Sequence, residues 1–285
     1  MTKLLEKFLK ANPLFVSTLS EVGNILTRSG HRWVLIGAWA RILNLNHQIL
    51  SSDRSTQDFD FIVLVKNWTA FDEIAKKMSL AKYEQLRKEP YRFKRENLKV
   101  DILPVGKEIL HEGKLKWPGH EIELNFLGAE ESFNMTRKVK ISPKLEIEFV
   151  DVPGLVLLKM SSYLDQPLGR TRDLEDIFFC FKHYGSADLR MELAELKIKG
   201  QSLRFEHAGA YIIGREIKKA VPNPAVSKLI EVFCQAFSDA ESPVVLNTAS
   251  LLGNFLPVAD KGEEIVSQVC AFKEGNQEAA AVFNP

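Results

Sequence analysis

The feature that most constrains this chain is a strand-like run in which two aspartates alternate with two aromatic residues. In Asp58-Phe59-Asp60-Phe61, which continues as an apolar run to Val65, both carboxylates leave one face of an extended strand and both rings leave the other. Two such acids at roughly 6 Å repel by about 3 kcal/mol at an effective dielectric constant of about 20. A divalent cation between them removes that cost, so the pattern indicates a metal site of the kind used in nucleotidyl transfer.

Two plainer interpretations of the same acids remain open. Charged residues on the solvent face of an edge strand protect that edge against pairing with another chain. Asp58 also follows a polar stretch, and aspartate commonly ends a loop or turn. Other parts of the chain have to decide between these interpretations and a metal site.

Composition sets broad limits on the class of protein. The 285 residues are enough for one large domain or two modest ones, and 45% hydrophobic with 26% charged residues is typical of a globular protein. A formal net charge of +1 provides no overall field toward nucleic acid or membrane. Basic residues do cluster locally, within residues 82–99 and in Arg137-Lys138-Val139-Lys140, either as solvated faces or as a surface for a phosphate-rich partner.

The cysteines and the apolar runs indicate the cellular compartment in which the protein works. Cys180, Cys234 and Cys270 are odd in number and widely spaced, which excludes a disulfide framework or a zinc ribbon and fits a reducing compartment. No apolar run has the length of a membrane span, and the N-terminus lacks the apolar core of a signal peptide. We expect a cytoplasmic protein with no membrane partner.

Two segments flank the acidic strand with features of a phosphate site. Residues 33–36 predict a short buried strand that runs through Gly37 into a helix, and the free N–H groups of a helix N-terminus can face a phosphate. Residues 91–103 predict a hairpin that turns at Glu96-Asn97 and carries Asp101 between two apolar residues of its second strand. Alone, Asp101 fits equally well on the solvent side of that hairpin.

The character of the chain changes near residue 150. Alternating patterns at 121–127 and 132–150 predict further strands, whereas from Asp151 onward one helical pattern follows another. We therefore predict an α+β fold with two domains: a mixed-sheet domain over residues 1–150 and a helical domain over residues 151–285.

With the order strand, Gly37, helix, Asp58-x-Asp60 and Asp101 in place, the chain resembles the DNA polymerase β-type nucleotidyltransferase superfamily, and within it the AbiEii/AbiGii toxin family. The resemblance implies that Gly37 and Ala38 at the helix start hold the triphosphate of a bound NTP. It also implies that Asp58, Asp60 and Asp101 are catalytic acids that bind two Mg²⁺ ions.

The resemblance continues into the helical half. Lys159, within an apolar helix, matches a family lysine that reaches the active site, and Arg172-Asp173-Leu174-Glu175-Asp176 matches the acidic segment that follows it. By itself, Lys159 is more commonly explained by an ammonium group that extends to water, and the favourable placement of acids near a helix N-terminus explains Asp173 and Asp176 nearly as well. At the active site, these two acids are predicted to form an ion pair with Lys159 or with Arg54.

Four further residues are considered beside that resemblance: Arg54, Thr56, Ala38 and His207. Arg54 and Thr56 are expected to contact phosphate, with ordinary loop chemistry as the alternative. Ala38 stands where the superfamily usually has Ser or Gly, so a hydroxyl is missing while the backbone N–H remains. His207 receives no role.

The resemblance implies transfer of a nucleoside monophosphate from an NTP to an acceptor, either RNA such as a tRNA 3′ end or a protein, in a toxin with a possible cognate antitoxin. Ala38 favours an alternative, a nucleotide-binding or protein-interaction module with little catalysis, whereas three retained acids argue against it. An antibiotic-modifying enzyme is a third option, which the basic residues beside the site disfavour.

Overall fold

The computed structural model describes residues 3–45, 58–142, 145–195, 197–198, 201–253 and 260–277. The chain divides into two compact units, Met1–Asp151 and Val152–Pro285. The first unit contains the sheets on which the acids lie, and the second consists mainly of helices.

A seven-stranded mixed sheet organises the first unit. In chain order its strands are β1 Trp33–Ile36, β2 Asp58–Leu64, β3 Glu84–Gln85, β4 Arg92–Arg95, β5 Leu98–Val105, β9 Thr136–Ser142 and β10 Leu145–Val150. Across the sheet the order is β3-β4-β5-β2-β1-β10-β9. The pairs β2–β5 and β1–β10 are parallel and the others are antiparallel. A separate three-stranded sheet comprises β6 Leu110–His111, β7 Lys114–Lys116 and β8 Glu123–Asn125.

In the described part of this unit, four α-helices accompany the sheets: α1 Lys3–Ala11, α2 Pro13–Arg28, α3 Gly37–Leu45 and α4 Trp68–Leu80. The face of β2 opposite the acids is the core face, since Phe59 and Phe61 are fully buried. Phe59 stacks on Trp39 of α3 and Phe15 of α2, with ring centroids 5.4 Å and 6.0 Å away. This aromatic layer buries large apolar surfaces beneath the acids and fixes the strand on which they stand.

The described residues of the second unit form seven α-helices: α5 Val152–Asp165, α6 Thr171–His183, α7 Ala187–Ala194, α8 Ala208–Ala220, α9 Pro224–Ala236, α10 Pro243–Leu252 and α11 Lys261–Gln277. A small antiparallel pair, β11 Lys197–Ile198 and β12 Gln201–Ser202, lies between α7 and α8. No helix in the described part of the chain combines the length and the apolar character that crossing a bilayer requires.

Helices α8 and α11 approach each other closely enough for their backbones to touch. A Cβ atom added at Gly214 would lie 2.1 Å from the Phe272 carbonyl oxygen, and one added at Gly275 would lie 2.0 Å from the Tyr211 carbonyl oxygen. Asn276 Nδ2 donates a hydrogen bond of 3.1 Å to the Gly214 carbonyl. Glycine at these positions therefore serves helix packing.

Some local predictions need correction. The strand predicted over residues 132–150 is interrupted: Glu131–Asn134 forms a 3₁₀ helix, and two strands follow it. Phe133 and Ser132 of this turn are buried, so burial produced an apolar pattern without extended backbone. The sequence patterns do not predict helix α1, helix α10 or the short strands β3, β6, β7, β11 and β12.

Candidate active site

The three acids singled out from the sequence lie on one face of the seven-stranded sheet. Asp58 and Asp60 are two residues apart on β2, and in the parallel pair β2–β5 the register partner of Asp60 is Asp101. Register partners on neighbouring strands share a face and stand about 4.8 Å apart. The alternate residues Phe59 and Val100 are fully buried on the other face. Sheet register therefore places Asp58, Asp60 and Asp101 side by side. We call the side of the sheet on which they stand the acid face, and the three aspartates its members.

Gly37 borders the acid face where β1 passes into α3. Its φ of +68° lies in the left-handed region, which favours glycine. A Cβ atom at this position would lie 2.0 Å from Asp60 Oδ2. The carboxylate of Asp60 therefore lies against the backbone of Gly37, and no side chain fits between them. Ala38 follows within the first turn of α3, whose N–H groups have no partners within the helix.

Asp101 is the most deeply buried member of the acid face, with its side chain 10% exposed. Arg92 of β4, its direct partner in the antiparallel β4–β5 pair, binds both of its oxygens: Nε lies 2.7 Å from Oδ1 and Nη2 lies 2.8 Å from Oδ2. Burial raises the pKa of Asp101 above its ordinary value, with the Arg92 contacts acting in the opposite direction. The same pair raises the pKa of Arg92.

Asp58 has a more open environment than Asp101. Its side chain is 47% exposed, and Lys99 Nζ lies 3.8 Å from Oδ1. Lys99 is the register partner of Asp58, so this lysine also stands on the acid face. Within the described ranges, no three His, Cys, Asp or Glu side chains are gathered closely enough to hold a metal ion. The acids thus share a face and a register, with Asp101 turned to Arg92.

The helical unit contains a polar cluster of its own, formed by Lys159 of α5 with Asp173 and Asp176 of α6. Lys159 Nζ lies 2.7 Å from Asp173 Oδ1 and 2.9 Å from Asp176 Oδ2. Burial lowers the pKa of Lys159, but the two carboxylates outweigh burial and raise it. Asp173 Oδ2 is buried and has no hydrogen-bond partner among the described residues. We call these three residues the Lys159 cluster. The two acids were expected to pair with either Lys159 or Arg54, and in the structure they pair with Lys159.

Arg54 and Thr56 lie outside the described residues. Two basic residues beside the acids, Arg92 and Lys99, were predicted only as members of the basic stretch 82–99, although a signal for their place next to the acids was available. If the hairpin turns at Glu96-Asn97, counting outward pairs Arg95 with Leu98 and hence Arg92 with Asp101, as the structure has it. The turn length was therefore enough to predict the neighbour of the third acid.

The mixed sheet, its acid face and the helices that follow define an α+β protein of the nucleotidyltransferase class. A family model described as "Nucleotidyl transferase AbiEii toxin, Type IV TA system" matches residues 24–248. This match spans most of the chain, so the chain belongs to the AbiEii nucleotidyltransferase toxin family. The predicted family is confirmed, and so is the predicted α+β fold, a mixed-sheet nucleotidyltransferase domain followed by helices.

Two solved structures show distant likeness. The antibiotic-resistance factor ANT(2'')-Ia aligns with a TM-score of 0.39 and 10% identity, over 58% of this chain and 82% of that chain. A structure of a tRNA-processing enzyme complex aligns with a TM-score of 0.28 and 14% identity, over 91% of this chain and 74% of that chain. At TM-scores below 0.5, neither likeness assigns an activity to this chain. The comparison with curated proteins gives no match.

Proposed function

We propose that this AbiEii-family nucleotidyltransferase moves a nucleoside monophosphate from an NTP to RNA, with a tRNA 3′ end as the first candidate acceptor. The observation that supports the proposal best is the register of the acid face. Asp60 and Asp101 are direct neighbours on parallel strands, and Asp58 stands two residues along the same face. An apolar core on the opposite face keeps all three directed to the same side of the sheet.

The donor chemistry of the acid face suits a divalent cation, and strand register puts its three aspartates on one side of the sheet. Carboxylate oxygens are the protein ligands that Mg²⁺ prefers, and all three proposed ligands are aspartates. Asp58, Asp60 and Asp101 would hold the metal. When bound, a pair of Mg²⁺ ions supplies charge stabilisation to the attacking and leaving oxygens of an in-line displacement.

The triphosphate is expected at the start of α3. Gly37 and Ala38 are each partly exposed there, and the backbone N–H groups of a first helical turn attract anions. The missing hydroxyl at Ala38 leaves that contact to the backbone. We expect Arg54 and Thr56, which precede β2 in the sequence, to add phosphate contacts.

We further propose that the helical unit contributes the Lys159 cluster to the same reaction. The ammonium of Lys159 is a suitable point charge for a β- or γ-phosphate. Its two carboxylate partners, Asp173 and Asp176, fix its direction.

Exposed basic residues in the first unit favour RNA as the acceptor. Lys94 and Lys99 are register partners on β4 and β5 and stand on the acid face. Arg137, Lys138 and Lys140 are exposed on the edge strand β9. Contacts from such side chains to phosphates supply most of the affinity of proteins for nucleic acid. A cognate antitoxin is the second proposed partner, in keeping with the toxin–antitoxin family.

The test supplies the purified protein with Mg²⁺ and each labelled NTP in turn, together with total RNA or cell lysate. We expect label in RNA for the wild type and none for Asp58→Asn. Asp72→Asn, which changes an exposed acid of α4, is the matched control and should keep full activity.

Two other results would change the proposed acceptor or the proposed activity. Label in protein would make protein the acceptor. Nucleotide binding without transfer, unchanged by Asp58→Asn, would make the chain a nucleotide-binding module.

A further inference from the structure

Arg92 binds the carboxylate of Asp101, the third acid, through two hydrogen bonds. It is the register partner of Asp101 across the β4–β5 hairpin, and its Nε and Nη2 atoms each bind one carboxylate oxygen, at 2.7 Å and 2.8 Å. Such two-point contacts fix the plane of a carboxylate as well as its position. The orientation of Asp101 is therefore set by Arg92 as well as by its own strand.

Arg92 is itself anchored at its remaining nitrogen. Nη1 donates a hydrogen bond of 2.7 Å to Glu89 Oε1, and the guanidinium carbon lies 5.8 Å from the centre of the Tyr91 ring. Only 23% of the Arg92 side chain is exposed. With all three guanidinium nitrogens engaged by carboxylates, Arg92 has few donors left for a substrate.

The Asp101 carboxylate keeps acceptor capacity while Arg92 holds it. An ionised carboxylate offers about four lone-pair positions, and the two Arg92 hydrogen bonds use two of them. Each oxygen can therefore still serve a second partner. Asp60, on the neighbouring strand, is bounded by the backbone of Gly37 in a comparable way.

We propose that Arg92 is a positioning residue of the active site: it orients Asp101 as a metal ligand and contacts no substrate itself. The inference rests on the proposed function, because it assigns Asp101 to the metal. Groups that hydrogen-bond a ligating side chain orient it, and their loss typically lowers metal affinity or activity by about 10- to 100-fold. A lysine would keep the charge of Arg92 but lose the planar fork.

The experiment measures Mn²⁺ binding by the full-length protein, from the electron paramagnetic resonance signal of free Mn²⁺, with a non-hydrolysable ATP analogue present. We expect Arg92→Gln and Arg92→Lys to raise the Mn²⁺ dissociation constant by about 10- to 100-fold. In parallel turnover assays kcat should fall by a similar factor while KM for NTP changes less than about threefold. A general loss of fold would not lower kcat while leaving KM for NTP nearly unchanged.

Two controls separate positioning from general stability. Arg95→Gln breaks a similar arginine–carboxylate contact on the same hairpin, to Glu21 of α2, and should leave Mn²⁺ affinity unchanged. In an Asp101→Asn background, Arg92→Gln should have no further effect, because Arg92 acts only through Asp101. If Arg92→Gln fails to fold, Glu89→Gln replaces it, since it loosens the anchor at a more exposed position and should weaken Mn²⁺ binding severalfold.

Unchanged or tighter Mn²⁺ binding in the folded Arg92 variants would overturn the role of Arg92, and so would an equal loss in the Asp101→Asn background. Failure of the proposed function looks different: wild type and Asp58→Asn would then bind Mn²⁺ equally weakly, and the inference would fall with it.

Discussion

Gly37→Ala should impair catalysis far more than it destabilises the protein. The substitution adds one methyl group where β1 passes into α3, at a residue with φ of +68°. Its conformational penalty is about 1–2 kcal/mol, because the left-handed region is unfavourable for residues with a Cβ atom. For a unit of this size, that corresponds to a fall in Tm of about 2–8 °C.

The catalytic penalty comes from the contact between the new methyl group and Asp60. A Cβ atom at residue 37 would lie 2.0 Å from Asp60 Oδ2, whereas ordinary contact begins at 3.4 Å, so the carboxylate has to retreat by about 1.4 Å. Misplacing a reacting or ligating group by about 1 Å can cost about 100-fold in rate. We therefore expect kcat/KM to fall at least 100-fold, equivalent to about 2.7 kcal/mol of transition-state stabilisation.

The assay pairs labelled-NTP transfer with thermal unfolding, and Gly30→Ala is the matched control. Gly30 has φ of +77° at the end of α2, and a Cβ atom there would meet nothing within 4 Å. Gly30→Ala should therefore show a similar fall in Tm with normal transfer. Transfer by a folded Gly37→Ala protein within about threefold of the wild-type rate would refute the placement of Asp60 in the active site.

Three further predictions concern the helical unit. Lys159→Met should lower the free energy of unfolding by about 3 kcal/mol in urea titrations, because it leaves the two buried carboxylates of the Lys159 cluster without a cation; an unchanged midpoint would contradict this. Burial lowers the pKa of His183 to about 4, below its ordinary value of 6.5. Allowing for solvent screening of this half-buried ring, stability should fall by about 1 kcal/mol between pH 7 and pH 5 through this group, and His183→Gln should remove that part of the pH dependence. Gly275→Ala should destabilise by about 1–3 kcal/mol in the same titrations, although alanine ordinarily favours a helix, because the new methyl group meets the Tyr211 carbonyl; a gain in stability would refute the close contact.

Features set by neighbouring residues could be predicted from the sequence. The alternation of acids and aromatics on β2 predicted which face of the strand is buried, and the structure buries Phe59 and Phe61 completely. The two-residue turn at Glu96-Asn97 likewise predicted the hairpin of β4 and β5. Glu96 has φ of +55°, the left-handed conformation that short hairpin turns use. In both cases the decisive contacts lie within a few residues along the chain.

Features set by distant residues required the fold. The pairing of Asp60 with Asp101 joins strands about 40 residues apart in sequence, and local patterns do not choose between neighbours at that distance. The family resemblance supplied this pairing. For the Lys159 cluster, helical spacing placed Asp173 and Asp176 on one face of α6 but left two possible cations. The packing of α5 on α6 brings Lys159 to both acids.

The neighbours of the acid face give its three members different chemical environments, which residue identity alone does not reveal. Asp101 is buried and held at both oxygens by Arg92, while Asp58 is nearly half exposed beside Lys99. A carboxylate held by an arginine fork arrives at a ligand already oriented, whereas an exposed one has to lose rotational freedom when it binds. In the proposed site we therefore expect Asp101 and Asp60, the latter packed against Gly37, to be the rigid members and Asp58 to be the one that adjusts. This division follows from strand register, since β4 places Arg92 beside Asp101 and β1 leads into the glycine beside Asp60.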